Sequence, residues 1–337
     1  MRLALAANLI SADDQRLCEG GACMIKNLEI KNFKSIKHLT LDCKRINLFI
    51  GEPNTGKSNI LETLGLVSHL NYGELKDFVR FESMSNLFTD ENLEDQIEIK
   101  FDVNVLRVEF QNGSFIGYSN DQKLFIYDYR GGKCGSIPEY KFLKFYTFKL
   151  REQFLRREAE FLHPPDANNL LTMILTRKSL KKLVRLIFDP FRLKMVLKPQ
   201  EGKIEVQKEI EDVIISHPYS LVSDTIQRII FYLTAIETNT DSAIVFEEPE
   251  SHSFPYYTKF LAERIALDKN NNQYFISTHN PYLLLSILEK AHKEDVGVFV
   301  TYFEDYQTNV KLLSEKELSE IMDLGIDIFF NIERFLK

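Results

Sequence analysis

The sequence feature that most constrains this chain is the eight-residue segment Gly51-Glu-Pro-Asn-Thr-Gly-Lys-Ser58. It satisfies the pattern GxxxxGK[ST] at each fixed position, and average residue usage makes a chance match in a chain of 337 residues roughly a one in a hundred event. The apolar run from Ile46 to Ile50 predicts a buried strand before it, and the apolar spacing over 60–67 predicts a helix after it. Strand, glycine-bounded loop and helix are the context of a phosphate-binding loop, or P-loop.

The chemistry of such a loop comes from its backbone, because consecutive N–H groups and a helix N-terminus present positive potential to phosphates. We expect Lys57 to bridge the β- and γ-phosphates of ATP, and the hydroxyl oxygen of Ser58 to bind Mg²⁺. The loop residues that we expect to bind the nucleotide are Gly51, Asn54, Thr55, Gly56, Lys57, Ser58 and Asn59.

A pair of adjacent carboxylates follows a second predicted strand. Ala243 to Phe246 forms a short apolar run, and Glu247 and Glu248 come directly after it. A P-loop requires a carboxylate near the metal at the end of a neighbouring strand. We expect Glu247 to hold Mg²⁺, directly or through water, and Glu248 to orient and deprotonate the attacking water.

A histidine follows a third predicted strand, from Tyr274 to Ser277. A lone histidine is more often a surface residue, or a buried residue with hydrogen-bonded ring nitrogens, than a functional one. His279 lies just after a strand that follows the Glu247 strand in the chain. We therefore expect its imidazole to lie near the γ-phosphate.

The pattern of apolar residues predicts an α/β fold with a parallel core sheet covered on both faces. Strict alternation from Ile97, with hairpin signals at 112–113 and 131–132, predicts an antiparallel meander that continues to Phe148. Helical spacing and a basic excess predict a helical insertion or lid from about 150. The predicted segments are an N-terminal extension at 1–23, an N-terminal ATPase lobe with P-loop and meander at 24–149, the basic insertion at 150–215, and a C-terminal ATPase lobe at 216–337.

The start of the chain leaves two readings open. Met24 begins a segment, MIKNLEIKNF, that reads at once as a strand. Residues 1–23 contain a short apolar run but no small-residue cleavage pattern, so we do not interpret them as a signal peptide. They are either part of the native chain or an extension from an upstream start codon.

Composition restricts the class of protein. A hydrophobic content of 44% and a charged content of 27% describe a globular chain, and no apolar stretch is long enough to span a bilayer. The four cysteines form no CxxC pair, so neither a zinc site nor a disulfide framework is indicated, and a cytoplasmic setting is expected. The net charge of −7 argues against a protein that coats nucleic acid over its whole surface.

Positive charge is nevertheless concentrated in one region. Between Lys141 and Lys198 there are fourteen Lys or Arg residues against five Asp or Glu residues. The helical spacing of four of them predicts a basic face that could meet DNA or an acidic partner, or be simply solvated above an apolar stripe. These four residues are Lys178, Lys181, Lys182 and Arg185.

The three motifs together resemble the ABC-type ATPases of the RecF, SMC and OLD group. The resemblance runs from Met24, through NFKSIK at 32–37, to the STHNP segment that ends at Pro281. It implies that Glu248 is the general base and that His279 senses the γ-phosphate. It also implies a signature motif, here beginning at Ser223, that acts on ATP bound to a second subunit.

Two positions depart from that group. Thr225 stands where the signature glycine would be, and its side chain restricts how closely the backbone can approach a phosphate. Glu247 stands where many relatives have Asp, a mild change because both are hard oxygen ligands for Mg²⁺. The chain has no heptad run for a long coiled coil, and its tail lacks the length for a fused nuclease domain.

The resemblance implies a homodimer that closes on ATP, with a role in DNA repair or in defence against phage, usually beside a separate effector protein. Three alternatives remain at this stage. The chain could instead be a RecF-like repair ATPase that acts directly on DNA, or a nucleotide-sensing interaction module with little hydrolysis. A GTPase or small-molecule kinase is disfavoured, because no NKxD signal for guanine is present.

Overall fold

The computed structural model describes residues 24–324 and 328–336, and the predicted N-terminal extension at 1–23 lies outside them. A six-stranded sheet with the order β15-β14-β3-β13-β12-β8 forms the centre. Five of its strands, β14, β3, β13, β12 and β8, run parallel, and β15 is an antiparallel edge strand. The strands are β3 (Ile46–Gly51), β8 (Leu143–Tyr146), β12 (Ala243–Glu247), β13 (Gln273–Ser277), β14 (Val296–Glu304) and β15 (Gln307–Leu312).

Both faces of this sheet are buried, as the unbroken apolar runs predicted. In β3, Leu48 packs into one hydrophobic cluster and its neighbour Phe49 into the other, because successive side chains point to opposite faces. Helix α1 and a second sheet cover one face, and α4, α5 and α6 cover the other. The helices are α1 (Lys57–Tyr72), α2 (Leu170–Thr176), α3 (Lys178–Phe188), α4 (Asp224–Thr238), α5 (Pro255–Ala266), α6 (Pro281–Lys290), α7 (Glu315–Leu324) and α8 (Ile332–Leu336).

The second sheet is antiparallel, with the order β2-β1-β4-β5-β6-β7. The meander is present from β4 to β7, and the β5–β6 turn is made by Asn112 and Gly113, both at positive φ. Strand β1 belongs to this sheet, and β2 lies between it and β3 in the chain, which the sequence did not predict. The strands are β1 (Asn27–Phe33), β2 (Ile36–Asp42), β4 (Ile97–Phe101), β5 (Asn104–Gln111), β6 (Ser114–Ser119) and β7 (Gln122–Tyr127).

The meander does not continue to Phe148, so that part of the prediction was wrong. Strand β8 leaves the antiparallel sheet and pairs parallel with β12 in the core. Gly131 forms an isolated bridge with Asp128 instead of a hairpin between two sheet strands. The reason is burial, since all four residues of β8 are buried, whereas a meander strand has one exposed face.

The region from 150 to 215 is only partly helical, which corrects the predicted helical insertion. Helices α2 and α3 are followed by a separate three-stranded antiparallel sheet with the order β11-β10-β9. The alternating residues Ile204 and Val206 pack this sheet onto the core. Apolar residues with a period of two predict a strand, but the many basic residues of this region made the pattern hard to recognise. Its strands are β9 (Lys194–Lys198), β10 (Lys203–Ile210) and β11 (Val213–Pro218).

No helix in the described ranges is both long and apolar enough to cross a membrane.

Candidate functional site

The P-loop connects the carboxyl end of β3 to α1, and its two fixed glycines are held against the β14–β15 hairpin. Gly56 has φ 97°, and a Cβ atom there would lie 2.0 Å from Oγ1 of Thr308. A Cβ atom on Gly51 would lie 2.3 Å from Oγ1 of Thr301. Any side chain at either position would therefore displace the loop, which explains why the pattern requires glycine there.

Lys57 lies at the first position of α1, and its ammonium group turns back into the loop. The Nζ atom donates hydrogen bonds to the carbonyl oxygens of Gly51, at 2.9 Å, and Glu52, at 2.7 Å. Burial lowers the pKa of Lys57 to about 8, while Glu248 and Glu52 act in the opposite direction. The ammonium thus occupies the concave side of the loop, where a phosphate-binding lysine is required.

The other loop residues divide into those that hold the loop and those that remain free. Thr55 Oγ1 donates to the carbonyl oxygen of Glu52 at 2.8 Å and lies 2.6 Å from Thr301 Oγ1. Asn59 Nδ2 donates to Ser35 Oγ at 2.7 Å. Among the described residues the half-buried hydroxyl of Ser58 has no hydrogen-bond partner, and Asn54, at φ 63°, is exposed.

The two carboxylates at the end of β12 lie in different surroundings. Glu247 is the last residue of the strand and pairs in register with Ser277 of β13. Its Oε1 atom accepts a hydrogen bond from Nη2 of Arg80 at 3.3 Å. Glu248 has φ 42°, and its N–H group donates to the carbonyl oxygen of Ser277 at 3.0 Å. The strand end and this backbone turn direct the two side chains to separate positions.

His279 lies beside Glu248, with 3.3 Å between His279 Nε2 and Glu248 Oε1. Burial lowers the pKa of His279, the charge of Lys57 lowers it further, and Glu248 acts in the opposite direction. Lys57, Glu248 and His279 therefore act on one another across the carboxyl ends of β3, β12 and β13. The structure thus brings together the three motifs that were identified separately in the sequence.

Glu250, a buried carboxylate directly behind this group, was not predicted from the sequence. Its Oε1 atom accepts hydrogen bonds from the hydroxyl of Thr278 and, at 3.3 Å, from the N–H group of His279. Its Oε2 atom has no hydrogen-bond partner among the described residues. Glu250 thus fixes the backbone that carries the imidazole. The available signal was an acidic residue three positions beyond the end of a buried strand.

A network of charges that reaches Glu247 was also missed. Arg80 Nε donates to Oε1 of the buried Glu62 at 2.7 Å, and the same guanidinium contacts Glu247. Lys34 donates to the other oxygen of Glu62 and, at 2.7 Å, to the carbonyl oxygen of Arg80. The one sequence signal was Glu62 itself, a carboxylate among the apolar positions of the predicted α1 helix.

Ser223 and the basic helix lie apart from this group. Ser223 is exposed and precedes α4, and it makes no hydrogen bond to the P-loop within the described chain. Thr225 Oγ1 donates to the carbonyl oxygen of His252 at 2.7 Å. In α3, Lys178, Lys181 and Lys182 are exposed, and Arg185 pairs with Asp189 at 3.1 Å.

Comparisons with known proteins identify ATPase domains in this chain. A family model described as "AAA ATPase domain" matches residues 24–192, and one described as "AAA domain, putative AbiEii toxin, Type IV TA system" matches residues 206–286. No curated protein matches the chain.

Two solved structures that resemble this chain are SMC heads. One is an SMC head bound to the C-winged helix domain of ScpA, with a TM-score of 0.55 and 14% identity, covering 88% of this chain and 99% of its own. The other is a Pyrococcus furiosus Smc head with an extended coiled coil bound to the C-terminal domain of ScpA, with a TM-score of 0.55 and 12% identity, covering 89% and 99%. At such identities the likeness shows the fold alone. The chain therefore belongs to the AAA ATPase domain family and has the P-loop ATPase fold of an SMC head.

Proposed function

We propose that this chain binds ATP with Mg²⁺ at the P-loop, hydrolyses it, and acts in the cytoplasm as a dimeric switch that controls a separate effector. The observation that carries the proposal is the convergence of Lys57, Glu248 and His279, whose charges act on one another. Catalysis of phosphoryl transfer requires mainly that the protein position the reactants and place compensating charge at the γ-phosphate. These three side chains, from three different strand ends, meet that requirement.

The residues at the loop fit a nucleotide. Gly51 and Gly56 leave no room for side chains, and Lys57 directs its ammonium into the loop. The free hydroxyl of Ser58 and the carboxylate of Glu247 are hard oxygen donors of the kind that Mg²⁺ prefers. When bound, ATP with Mg²⁺ supplies the γ-phosphoryl group and a metal charge that offsets its negative charge. The exposed Asn54 would contact the nucleotide directly, whereas Thr55 and Asn59 would act by holding the loop.

Glu248 is the proposed general base, and its carboxylate would take a proton from the attacking water. His279 is the proposed γ-phosphate sensor. Because burial and Lys57 lower the pKa of His279, the imidazole is neutral at physiological pH. A neutral ring that donates a hydrogen bond to a phosphate oxygen would change its contact with Glu248, so binding and the activation of water would be coupled.

The dimer is proposed from the exposed start of α4. Within the described part of the chain Ser223 makes no hydrogen bond to the P-loop, so we expect it to serve the nucleotide of a second copy. The side chain of Thr225 is held by the carbonyl oxygen of His252, which keeps its hydroxyl engaged within the chain. The SMC heads of similar fold are bound to part of ScpA, which supports a separate protein partner for this chain. A role in DNA repair or antiviral defence is the setting that we propose for this switch.

A second candidate, direct action on DNA, is favoured by the exposed lysines of α3. Lys178, Lys181 and Lys182 have no ion-pair partner among the described residues. The same helix borders an open cavity of about 500 Å³ whose floor includes Val184 and Phe188. Apolar surface beneath basic side chains suits an acidic protein segment as well as a phosphate backbone, so measurement must separate the two.

The dimer is tested by the mass of Glu248→Gln in solution with Mg²⁺ and either ATP or ADP. The carboxamide cannot accept the proton, so ATP stays intact and we expect a dimer with ATP and a monomer with ADP. Adding Ser223→Asp places a negative charge where a phosphate of the second site would lie, so it is expected to abolish the dimer. A monomer under every condition would overturn the dimeric switch and leave a nucleotide-sensing module with little hydrolysis as the better account.

A further inference from the structure

The β14–β15 hairpin forms one wall of the P-loop, on the side of β3 away from β13. Thr301 pairs in register with Gly51, and its hydroxyl contacts Thr55. Thr308, on the returning strand, packs against Gly56. The hairpin is therefore in direct contact with both fixed glycines of the loop.

This hairpin also extends beyond the sheet. Strand β3 ends opposite Thr301, whereas β14 continues to Glu304, a further three residues. At a rise of about 3.3 Å per residue, the hairpin tip stands about 10 Å beyond the carboxyl end of β3. In open α/β sheets the ligand lies in the space outside the carboxyl ends of the strands, and the tip stands beside that space.

The strand register determines which side chains of the tip lie on the P-loop side. Phe303 is directly opposite Thr308, and residues directly opposite in an antiparallel pair share a face. Phe303 is also two residues beyond Thr301, which again places it on that face. Phe303 is 51% exposed, and Tyr306 in the turn is 86% exposed. The hairpin thus presents one exposed aromatic residue, Phe303, on the P-loop side and a second, Tyr306, at its tip.

The proposed orientation of the nucleotide, which rests on the proposed function, directs the base toward these rings. Glu248 and His279 place the γ-phosphate on the β13 side of β3. Since β3 lies between β13 and β14, we expect the nucleoside end to extend toward β14. The β1–β2 turn also borders this side, with Ser35 Oγ 2.7 Å from Thr308 Oγ1, but its aromatic residue, Phe33, is fully buried.

We propose that Phe303 and Tyr306 form the platform on which the base of the bound nucleotide stacks. The P-loop contacts phosphates only, so it cannot by itself favour a nucleoside triphosphate over inorganic tripolyphosphate. An aromatic face supplies that preference because every base has a π-face, and the larger purine rings gain more contact than pyrimidine rings. The chain therefore prefers ATP and GTP over CTP and UTP at this subsite.

The test is the dissociation constant of ATP and of inorganic tripolyphosphate, measured by calorimetry for the wild type and for Phe303→Ala. Loss of one stacking contact is expected to raise the dissociation constant of ATP about tenfold and to leave that of tripolyphosphate unchanged. If Phe303→Ala weakened the binding of both ligands equally, or of neither, the proposal of a stacking platform would be wrong. If the wild type bound neither ligand, the proposed function itself would fail, which is a different result from binding that Phe303→Ala does not alter.

A second variant reports contact with the base directly. The chain contains no tryptophan, so Phe303→Trp introduces a single tryptophan, whose emission can be excited apart from that of the tyrosines. ATP is expected to quench its emission and tripolyphosphate to leave it unchanged. The control Phe191→Trp, at a residue that is 49% exposed just after α3, should respond to neither. The proposal would be refuted if bound ATP left the emission of Phe303→Trp unchanged, or if tripolyphosphate changed it equally.

Discussion

The buried carboxyl of Glu250 makes the stability of this fold depend on pH in a direction that can be calculated. Its side chain is 5% exposed, and one of its oxygens accepts both hydrogen bonds. Burial raises its pKa from 4.5 to about 7, the negative charge of Glu248 adds to the rise, and the hydrogen bonds from Thr278 and His279 oppose it. The other neighbour that senses its charge is Tyr232, which is neutral at these pH values.

Between pH 4.5 and 7 the folded protein binds the proton of Glu250 more tightly than the unfolded chain does. Stability therefore falls as pH rises through this window, and the loss is complete above pH 7. The shift corresponds to about 3 kcal/mol at about 1.4 kcal/mol per pKa unit. Glu250→Gln keeps an acceptor oxygen and cannot ionise, so this loss is absent. Any cost of the unpaired amide N–H groups is the same at every pH.

We therefore expect the difference in unfolding free energy between Glu250→Gln and the wild type to rise by about 2.5 kcal/mol from pH 5 to pH 8, because part of the full effect falls below pH 5. Urea unfolding followed by circular dichroism at pH 5, 6, 7 and 8 measures this difference. Glu289→Gln removes an exposed carboxyl from α6 and serves as the control, whose difference from the wild type should stay constant. A Glu250→Gln difference that is equally large at pH 5 and pH 8 would refute the reasoning.

Three further predictions follow from the site. Gly56→Ala places a Cβ atom at φ 97° against a threonine hydroxyl, so we expect a loss of at least about 1 kcal/mol in unfolding free energy and of nucleotide binding, measured by urea unfolding and calorimetry. Arg80→Ala frees Oε1 of Glu247, so half-saturation of the ATP-bound protein with Mg²⁺, measured by calorimetry, is expected at a lower concentration. Lys181→Glu combined with Lys182→Glu should leave basal hydrolysis unchanged, because α3 contributes no side chain to the site, and should abolish stimulation by duplex DNA if the wild type shows it.

Each of these has a result that would contradict it. Gly113→Ala is the control for Gly56→Ala, since Gly113 also has positive φ but a Cβ atom added there would meet nothing within 4 Å. Equal losses for the two variants would mean that contact with the hairpin is unimportant. If Arg80→Ala reaches half-saturation at the same Mg²⁺ concentration as the wild type, Glu247 does not bind the metal. Lower basal hydrolysis in the lysine double variant would place α3 in the catalytic machinery.

The sequence was sufficient for the features that depend on contiguous residues. The P-loop, the strand before Glu247 and the strand before His279 each carry their own apolar run and their own polar ending, so the ABC-type α/β fold was predicted and is confirmed by the structural comparisons. The roles of Glu248, His279 and Ser223 stay predictions. The alternation at Ile204 and Val206 was a local signal for the three-stranded sheet that the basic residues around it masked. Other departures depend on contacts between distant segments, which no local pattern encodes.

Strand β8 illustrates this limit. Its four residues, Leu143 to Tyr146, follow the meander in the sequence with no turn signal of their own, and their pairing with β12 places them in the parallel sheet. The pairing of Arg80 with Glu247 joins residues 167 positions apart in the chain. Glu250 follows the two carboxylates closely, but its burial depends on the loop from β13 that packs over it. In each case the decisive interaction is tertiary.

The central claim is that one site, formed at three strand ends, hydrolyses ATP. The most direct test is the rate of phosphate release from ATP with Mg²⁺ by the wild type, by Lys57→Ala and by Glu248→Gln, with ATP binding measured in parallel. We expect turnover by the wild type, loss of binding in Lys57→Ala, and retained binding without turnover in Glu248→Gln. Turnover by Glu248→Gln at the rate of the wild type, or no hydrolysis by a wild type that binds ATP, would contradict the claim.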